Sequence, residues 1–207
     1  DIGNTRAKYG VFVDGKLQLE SRLEQWSTSD ILALATNHNP ENIIYSTVGQ
    51  ELPAEAKSKL SENCCLLKLD QELPLPFVNA YETPTTLGKD RLAAAAGAQH
   101  WYPGKSCLIV DAGTCVTLDL LRADAVYLGG NIAPGVRMRL KAMHNQTARL
   151  PLVTPDVTPS IWGTTTETAL QNGAVLGVAL EIEALARRLQ KRWSDLQVIL
   201  TGGDAAF

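Results

Sequence analysis

The sequence has few of the residues that build disulfide frameworks, zinc clusters or nucleic-acid surfaces. Its 207 residues include four cysteines and three histidines. There is no C-x-x-C pair and no zinc-like ligand spacing, so neither a disulfide scaffold nor a zinc site is expected. The formal net charge of −3, without any Lys/Arg-rich run, does not support nucleic-acid binding. No apolar stretch is long enough to suggest a membrane span. We therefore expect a reduced, cytoplasmic protein that binds neither nucleic acid nor membrane.

What remains is the composition of an ordinary globular protein. Hydrophobic residues make up 45% of the chain and charged residues 20%, which fits one large domain or two of about 100 residues. No signal peptide is visible. Asp1 should end a strand, so we expect further sequence before it.

One short motif occurs twice, as DIGNT from Asp1 and as DAGT from Asp111. Each copy precedes an alternating, strand-like run, and the second also follows the apolar run 108–110, which predicts strand, turn, strand. Gly113 allows a sharp turn, Thr114 places a hydroxyl beside free N–H groups, and Asp111 offers a carboxylate to a cation. Two such turns facing each other would grip a nucleotide. Two ordinary hairpins with Asp-Gly turns are the alternative.

The pattern along the chain predicts an α/β protein with mixed central sheets flanked by helices. The repeat suggests duplicated domains, 1–105 and 106–207, with the boundary near Lys105. In the long helix, Gly173 and Gly177 suggest close packing. We expect a hairpin at 9–25 turning at Asp14-Gly15, helices from 31, at 53–63, 92–98, 136–144 and 168–193, strands at 42–48, 65–69, 108–110, 116–120 and 197–200, and loops at 73–86 and in the GGNIAPG segment 129–135.

Taken together and in this order, the motifs DIGNT, Tyr81-x-x-Pro84, Gly88-x-Asp90-Arg91, DAGT, GGNIAPG and TGGD resemble type III pantothenate kinase, a bacterial family of the actin/sugar-kinase superfamily. The resemblance covers nearly the whole chain. It implies ATP-dependent phosphorylation of pantothenate to 4'-phosphopantothenate, the first step of coenzyme A biosynthesis. It also implies two duplicated ribonuclease H-like domains with a cleft between them, and a homodimer whose active site lies at the subunit interface. The cofactors would be Mg²⁺ and a monovalent cation, K⁺ or NH₄⁺.

The resemblance also assigns roles to residues. Asp90 would be the base that receives the proton of the pantothenate hydroxyl. Asp111 would bind the monovalent cation, and Asp1 would bind magnesium through water. Gly202 and Gly203 would pack near adenosine. The ATP phosphates would be held by Asp1, Ile2, Gly3, Asn4, Thr5, Arg6, Ala7, Lys8 and Thr114. The pantothenate site would comprise Tyr81, Gly88, Lys89, Asp90, Arg91 and, from the partner subunit, Thr166.

The chain departs from the family pattern at three places, none of which removes a proposed catalytic group. Lys89 stands where a small residue is usual, and its side chain can point outward if the family contacts there are mainly backbone. Arg6-Ala7 replaces commoner polar residues, and Cys115-Val116 replaces a small pair.

Other interpretations stay open for single residues and for the whole chain. Asp90 could be only a favourable charge at a helix N-terminus, Arg91 a surface ion-pair residue, and Thr166 a helix cap. The chain could also be a non-catalytic accessory or regulatory member of the family, or a superfamily kinase with another small acceptor.

Overall fold

The protein is described by a computed structural model over residues 1–3, 6–47, 51–70, 72–157 and 160–206. Helices and strands are mixed along these ranges, so the predicted α/β class is confirmed. The chain divides into two compact units, Asp1–Pro74 and Leu75–Phe207. This division lies ahead of the boundary expected near Lys105, and the GKDR segment belongs to the second unit.

The first unit contains a hairpin, a parallel strand pair and two helices. The predicted turn is present, with Asp14 and Gly15 at φ of 49° and 73°, the left-handed values that a two-residue hairpin turn requires. A buried cluster of Ile2, Ala7, Tyr45, Leu52 and Leu60 forms the core of this unit. Its elements are β1 Ala7–Val13, β2 Lys16–Leu23, α1 Thr28–His38, β3 Asn42–Tyr45, α2 Ala54–Ser61 and β4 Cys65–Lys68, with β1–β2 antiparallel and β3–β4 parallel.

The second unit comprises β5 Val78–Asn79, a 3₁₀ turn Pro84–Thr86, α3 Lys89–Trp101, β6 Cys107–Ala112, β7 Cys115–Leu121, β8 Val126–Pro134, α4 Val136–Asn145, α5 Thr166–Gln190 and β9 Gln197–Thr201. Its five strands form a mixed sheet in the order β5-β8-β7-β6-β9. The predicted strand, turn and strand around DAGT are confirmed as the antiparallel pair β6–β7. The GGNIAPG segment is not a loop as expected, because its first six residues continue β8 and pair with β7.

Strand β6 is buried on both faces, which explains its unbroken apolar run. Leu108 and Val110 lie in one core cluster with residues of α4 and α5. Cys107 and Ile109, on the other face, lie in a second cluster with residues of α3. Because successive side chains of a strand point to opposite faces, the sheet is covered by helices on both sides.

The glycines of α5 do not show the close packing that their sequence positions suggested. A Cβ at Gly173 would meet no atom within 4 Å in the described part of the chain, and one at Gly177 would meet Nη1 of Arg139 at 3.6 Å. The prediction of close packing at these two glycines is therefore wrong for contacts within the described part of this chain. Helix α5 instead buries larger residues, among them Leu170 and Val178.

Helix α5 is also long and apolar enough to cross a membrane by length and composition alone. The sequence expectation that no stretch reaches this limit was therefore wrong. Core helices of soluble proteins pass the same test, and Leu170, Ala174, Val178 and Ala186 of α5 are packed in the core of the second unit.

Candidate functional site

The first predicted phosphate turn is anchored between β1 and the residues after β3. The backbone N–H of Ile2 donates to the carbonyl of Ser46 at 2.8 Å, and that of Gly3 donates to the carbonyl of Arg6 at 2.8 Å. Ser46 also donates its hydroxyl to Oδ1 of Asp1 at 2.8 Å. The turn thus holds the Asp1 carboxylate in a set direction while leaving it exposed, as a ligand-binding carboxylate requires.

The other residues of this turn divide into anchors and exposed groups. Ile2 and Ala7 are buried, so their predicted contact with phosphate would be through the backbone. Lys8 is exposed, and Arg6 pairs with Glu24 at 2.8 Å on the surface. Two predicted members of the turn, Asn4 and Thr5, lie outside the described residues.

The second turn is fixed by backbone contacts from two neighbouring segments. The N–H of Gly113 donates to the carbonyl of Cys115 at 3.0 Å, which closes the β6–β7 turn. Gly135, which precedes α4, donates to the carbonyl of Thr114 at 3.1 Å. A Cβ at Gly135 would lie 2.1 Å from the Gly113 carbonyl oxygen, so glycine is required there. Thr114 itself is exposed, and the N-terminus of α4 beside the turn favours an anion.

The Asp111 carboxylate lies at the end of β6, against the loop that follows β9. Gly202 has φ of 99°, and a Cβ on it would lie 2.4 Å from Oδ1 of Asp111 and 2.3 Å from the carbonyl oxygen of Ala112. The N–H of Asp204 donates to that same carbonyl at 2.8 Å, and Asp204 pairs with Arg137. The predicted cation ligand and the TGGD motif are therefore brought together, because β6 pairs in parallel with β9.

The start of α3 carries the proposed base. Gly88 is the N-cap residue, and Asp90 is exposed in the first turn. Oδ1 of Asp90 accepts a hydrogen bond from the backbone N–H of Arg91 at 2.8 Å. A Cβ on Gly88 would lie 2.4 Å from that same oxygen. The absence of a side chain at Gly88 therefore leaves room for the Asp90 carboxylate.

Arg91 forms a buried ion pair with a carboxylate that sequence reasoning did not select. Its Nε donates to the two oxygens of Asp119 at 3.0 and 3.1 Å, and its Nη2 donates to Oδ1. The hydroxyl of Tyr127 donates to Oδ1 at 2.6 Å. Arg91 is 5% exposed and Asp119 1%. Arg91 is thus in an ion pair, as one alternative supposed, but this pair is in the interior rather than at the surface.

The protonation of this cluster follows from its surroundings. Burial lowers the pKa of Arg91, but the hydrogen bond and the charge of Asp119 raise it by more, so the net direction is upward. Burial, followed by the hydrogen bond to Asp119, raises the pKa of Tyr127. Arg91 therefore stays charged and Tyr127 stays neutral at physiological pH.

Tyr81 completes the cluster around Arg91, and Lys89 lies two positions before Arg91 in the sequence. Cζ of Arg91 is 5.5 Å from the centre of the Tyr81 ring, a distance at which a cation is attracted to the ring face. Gly129, with φ of 95°, lies against the Cδ2–Cε2 edge of the Tyr81 ring. A Cβ at Gly129 would be 2.7 Å from Cδ2 of Tyr81. Nζ of Lys89 is buried and makes no hydrogen bond within the described ranges, so this ammonium does not point outward as the sequence reasoning allowed.

The comparisons with known proteins agree in pointing to one family. A family profile described as type III pantothenate kinase matches residues 1–188. A type III pantothenate kinase of Christiangramia forsetii is 40% identical over 99% of this chain and 85% of its own length. One from Porphyromonas gingivalis is 37% identical, over 100% of this chain and 86% of its own length.

The chain belongs to the type III pantothenate kinase family.

A solved structure agrees with the fold. The crystal structure of a protein from Campylobacter jejuni, described as a Baf family transcriptional activator, superposes with a TM-score of 0.57 at 25% identity. The match covers 98% of this chain and 81% of the other.

Thr166, the residue that the family resemblance places in the partner's pocket, is exposed at the first position of α5. The capping residue is Thr165, whose hydroxyl accepts from the N–H of Thr168 at 3.2 Å. The interpretation of Thr166 as the helix cap is therefore wrong, and its side chain has no capping role.

Sequence reasoning missed Asp119 and Tyr127, although a signal for the first was present. Asp119 is the one acidic residue in the strand run CVTLDLL, and a carboxylate buried in a strand needs a charged or hydrogen-bonding partner. The identity of that partner could not be predicted, because Arg91 and Tyr127 belong to two other elements of the chain.

Proposed function

We propose that this chain phosphorylates pantothenate with ATP, giving 4'-phosphopantothenate and ADP, the first step of coenzyme A biosynthesis. The observation that carries the proposal is the near full-length similarity to proteins named type III pantothenate kinase. The local geometry supports it, because an exposed carboxylate, Asp90, stands at the start of α3 next to Arg91, whose guanidinium lies over the ring of Tyr81.

In this proposal the reacting atoms need little covalent help from the protein. The hydroxyl oxygen of pantothenate bonds to the γ-phosphorus of ATP, the bond to the β,γ-bridging oxygen breaks, and ADP leaves. Asp90 accepts the hydroxyl proton. Because phosphoryl transfer passes through a loose transition state, positioning and charge neutralisation supply most of the catalysis, and a carboxylate is an adequate base.

Two cations complete the proposed site. Asp1, exposed and oriented by Ser46, would hold hydrated Mg²⁺. Asp111 would hold K⁺ or NH₄⁺, and the missing side chain of Gly202 leaves space beside its carboxylate. When bound, these cations neutralise charge on the phosphates. Lys8 and the backbone of the two turns would add hydrogen-bond donors, with Thr114 contributing from the second turn.

The acceptor site and the assembly are proposed on the same basis. Tyr81, Gly88, Lys89 and Arg91 would contact pantothenate, and Thr166 would reach it from the partner subunit of a homodimer. The duplication into ribonuclease H-like domains is supported by the presence of one DxGT-like turn in each compact unit. We place the reaction in the cytoplasm, without nucleic acid or membrane as a partner.

An ADP-release assay with pantothenate, sugars and acetate as acceptors tests the function. We expect turnover with pantothenate, dependent on Mg²⁺ and on K⁺ or NH₄⁺, and a product with the mass of 4'-phosphopantothenate. Turnover with a sugar or acetate instead would indicate a different superfamily kinase. If no acceptor is phosphorylated by folded protein, the accessory-factor alternative would replace the kinase.

A further inference from the structure

The buried ion pair between Arg91 and Asp119 connects the start of α3 to the middle of β7. Asp119 accepts from two nitrogens of Arg91 and from the hydroxyl of Tyr127. Tyr127 is 0% exposed, and it lies on β8, the strand that pairs with β7 in the sheet. Three separate elements therefore meet at a single carboxylate.

Stability alone is a weak explanation for such a cluster. Removing two charges from water costs free energy that their attraction often fails to return, and well-packed apolar side chains commonly do as well or better. The pair borders an apolar cluster, since Tyr127, which donates to Asp119, is buried in one cluster with Phe77 and Leu92. Apolar residues at both 91 and 119 would therefore suit the core at least as well as the ion pair, unless Arg91 has to be held in a particular orientation.

The contacts of Arg91 show what is held. Its backbone N–H donates to the carboxylate of Asp90, the proposed base, at 2.8 Å. Its guanidinium lies against the ring of Tyr81, which the family resemblance places at the pantothenate site. Asp119 engages the Nε–Nη2 edge of the planar guanidinium. Because the group is rigid, fixing one edge also fixes the direction of the remaining N–H donors.

We propose that Asp119 and Tyr127 are positioning residues, which act through Arg91 to hold the donors that contact the acceptor substrate. The inference rests on the proposed function, because it assumes that Arg91 and Tyr81 lie at the pantothenate site. Asp119 fixes the guanidinium by the bidentate contact, and Tyr127 fixes Asp119 by its hydroxyl. Neither residue touches substrate.

This role predicts a specific kinetic signature. A contact that binds substrate and transition state equally well affects KM and leaves kcat unchanged. Tyr127→Phe removes one buried hydrogen bond to Asp119 and keeps the ring, so the KM for pantothenate should rise roughly threefold to tenfold. The KM for ATP and kcat should each stay within about twofold. Asp119→Asn should raise the pantothenate KM by on the order of a hundredfold, with a lower Tm.

Phe77→Leu provides the matched control. Phe77 packs against Tyr127 with ring centroids 5.9 Å apart, and the substitution loosens the same core without touching the hydrogen bonds of Asp119. The three variants and the wild type are compared by steady-state kinetics and by thermal unfolding. The proposal predicts that Tyr127→Phe raises the pantothenate KM while Phe77→Leu, at an equal or greater loss of Tm, does not.

The outcomes separate this inference from the proposed function. If wild type turns over pantothenate and Tyr127→Phe leaves its KM unchanged, or changes it no more than Phe77→Leu does, the positioning role is refuted and the kinase stands. A fall in kcat with unchanged KM also refutes it, since the pair would then act on the base instead. Absence of pantothenate turnover in the folded wild type overturns both proposals.

Discussion

Replacing Gly202 by alanine is the sharpest test of the close contacts around Asp111. Gly202 has φ of 99°, a backbone conformation that residues other than glycine rarely adopt. The added Cβ would lie 2.3 Å from the carbonyl oxygen of Ala112 and 2.4 Å from Oδ1 of Asp111. The carboxylate can rotate away, but the carbonyl belongs to the backbone of β6 and cannot move alone.

The expected loss of stability follows from these two effects. An alanine at a left-handed backbone position costs on the order of 1–3 kcal/mol, and overpacking against a fixed backbone adds about 1–3 kcal/mol. We therefore expect Gly202→Ala to lower the free energy of unfolding by about 2–6 kcal/mol. If Asp111 binds the monovalent cation, its displaced carboxylate should also raise the K⁺ concentration required for half-maximal activity.

Gly203 supplies the matched control one position away. A Cβ there would meet nothing within 4 Å in the described part of the chain. Its φ is not among the positive values. Gly203→Ala should thus be neutral or stabilise by up to about 1 kcal/mol. Urea denaturation of both variants, followed by potassium titration of activity, measures the two effects. If the unfolding free energies of the two variants agreed within about 0.5 kcal/mol, the steric reasoning would be refuted.

Three further predictions concern catalysis, assembly and pH. Asp90→Asn should lower kcat by about a hundredfold or more without a change in Tm, and near-normal turnover would exclude Asp90 as the base. When Asp90→Asn chains exchange subunits with Thr166→Trp chains, about a quarter of wild-type activity should return if the site is shared across a two-fold dimer; confirmed exchange without recovery would contradict a shared site. Hydrogen bonds from Lys68, then Lys57, lower the pKa of Glu51 from 4.5 to about 2. The stabilisation by charged Glu51 is therefore fully present above pH 4.5 and is lost as the pH falls towards 2. Between these limits wild type should lose stability more steeply than Glu51→Gln, a difference that high salt should reduce and that equal slopes would disprove.

The features that sequence reasoning predicted correctly depend on neighbouring residues. The two-residue turn between β1 and β2 requires two residues with left-handed backbone conformations, and the pair Asp14-Gly15 adopts them at low energetic cost. The β6–β7 turn likewise joins strands that are adjacent in sequence. The predicted site residues of each motif, such as Asp90 beside Arg91, are close because the same short segment carries them.

The family was also accessible from the sequence, for a related reason. The candidate functional groups of this chain are concentrated in short sequence motifs. The order of those motifs along the chain can be read from the sequence, since it does not depend on how the chain packs. The function suggested by DIGNT, GKDR and DAGT therefore did not require knowledge of the sheet order.

Tertiary structure decided what depends on residues far apart in the chain. The glycines at 129 and 130 suggested a loop, but pairing with β7 makes them part of a strand. The sequence of one strand does not determine which strand it pairs with, because pairing depends on packing against neighbouring strands. Asp119 and Arg91 are 28 residues apart in the sequence, and only the packing of α3 on the sheet brings their side chains into contact. Local patterns determined the turns and the family of this protein, while non-local packing determined which charges are buried and what holds them.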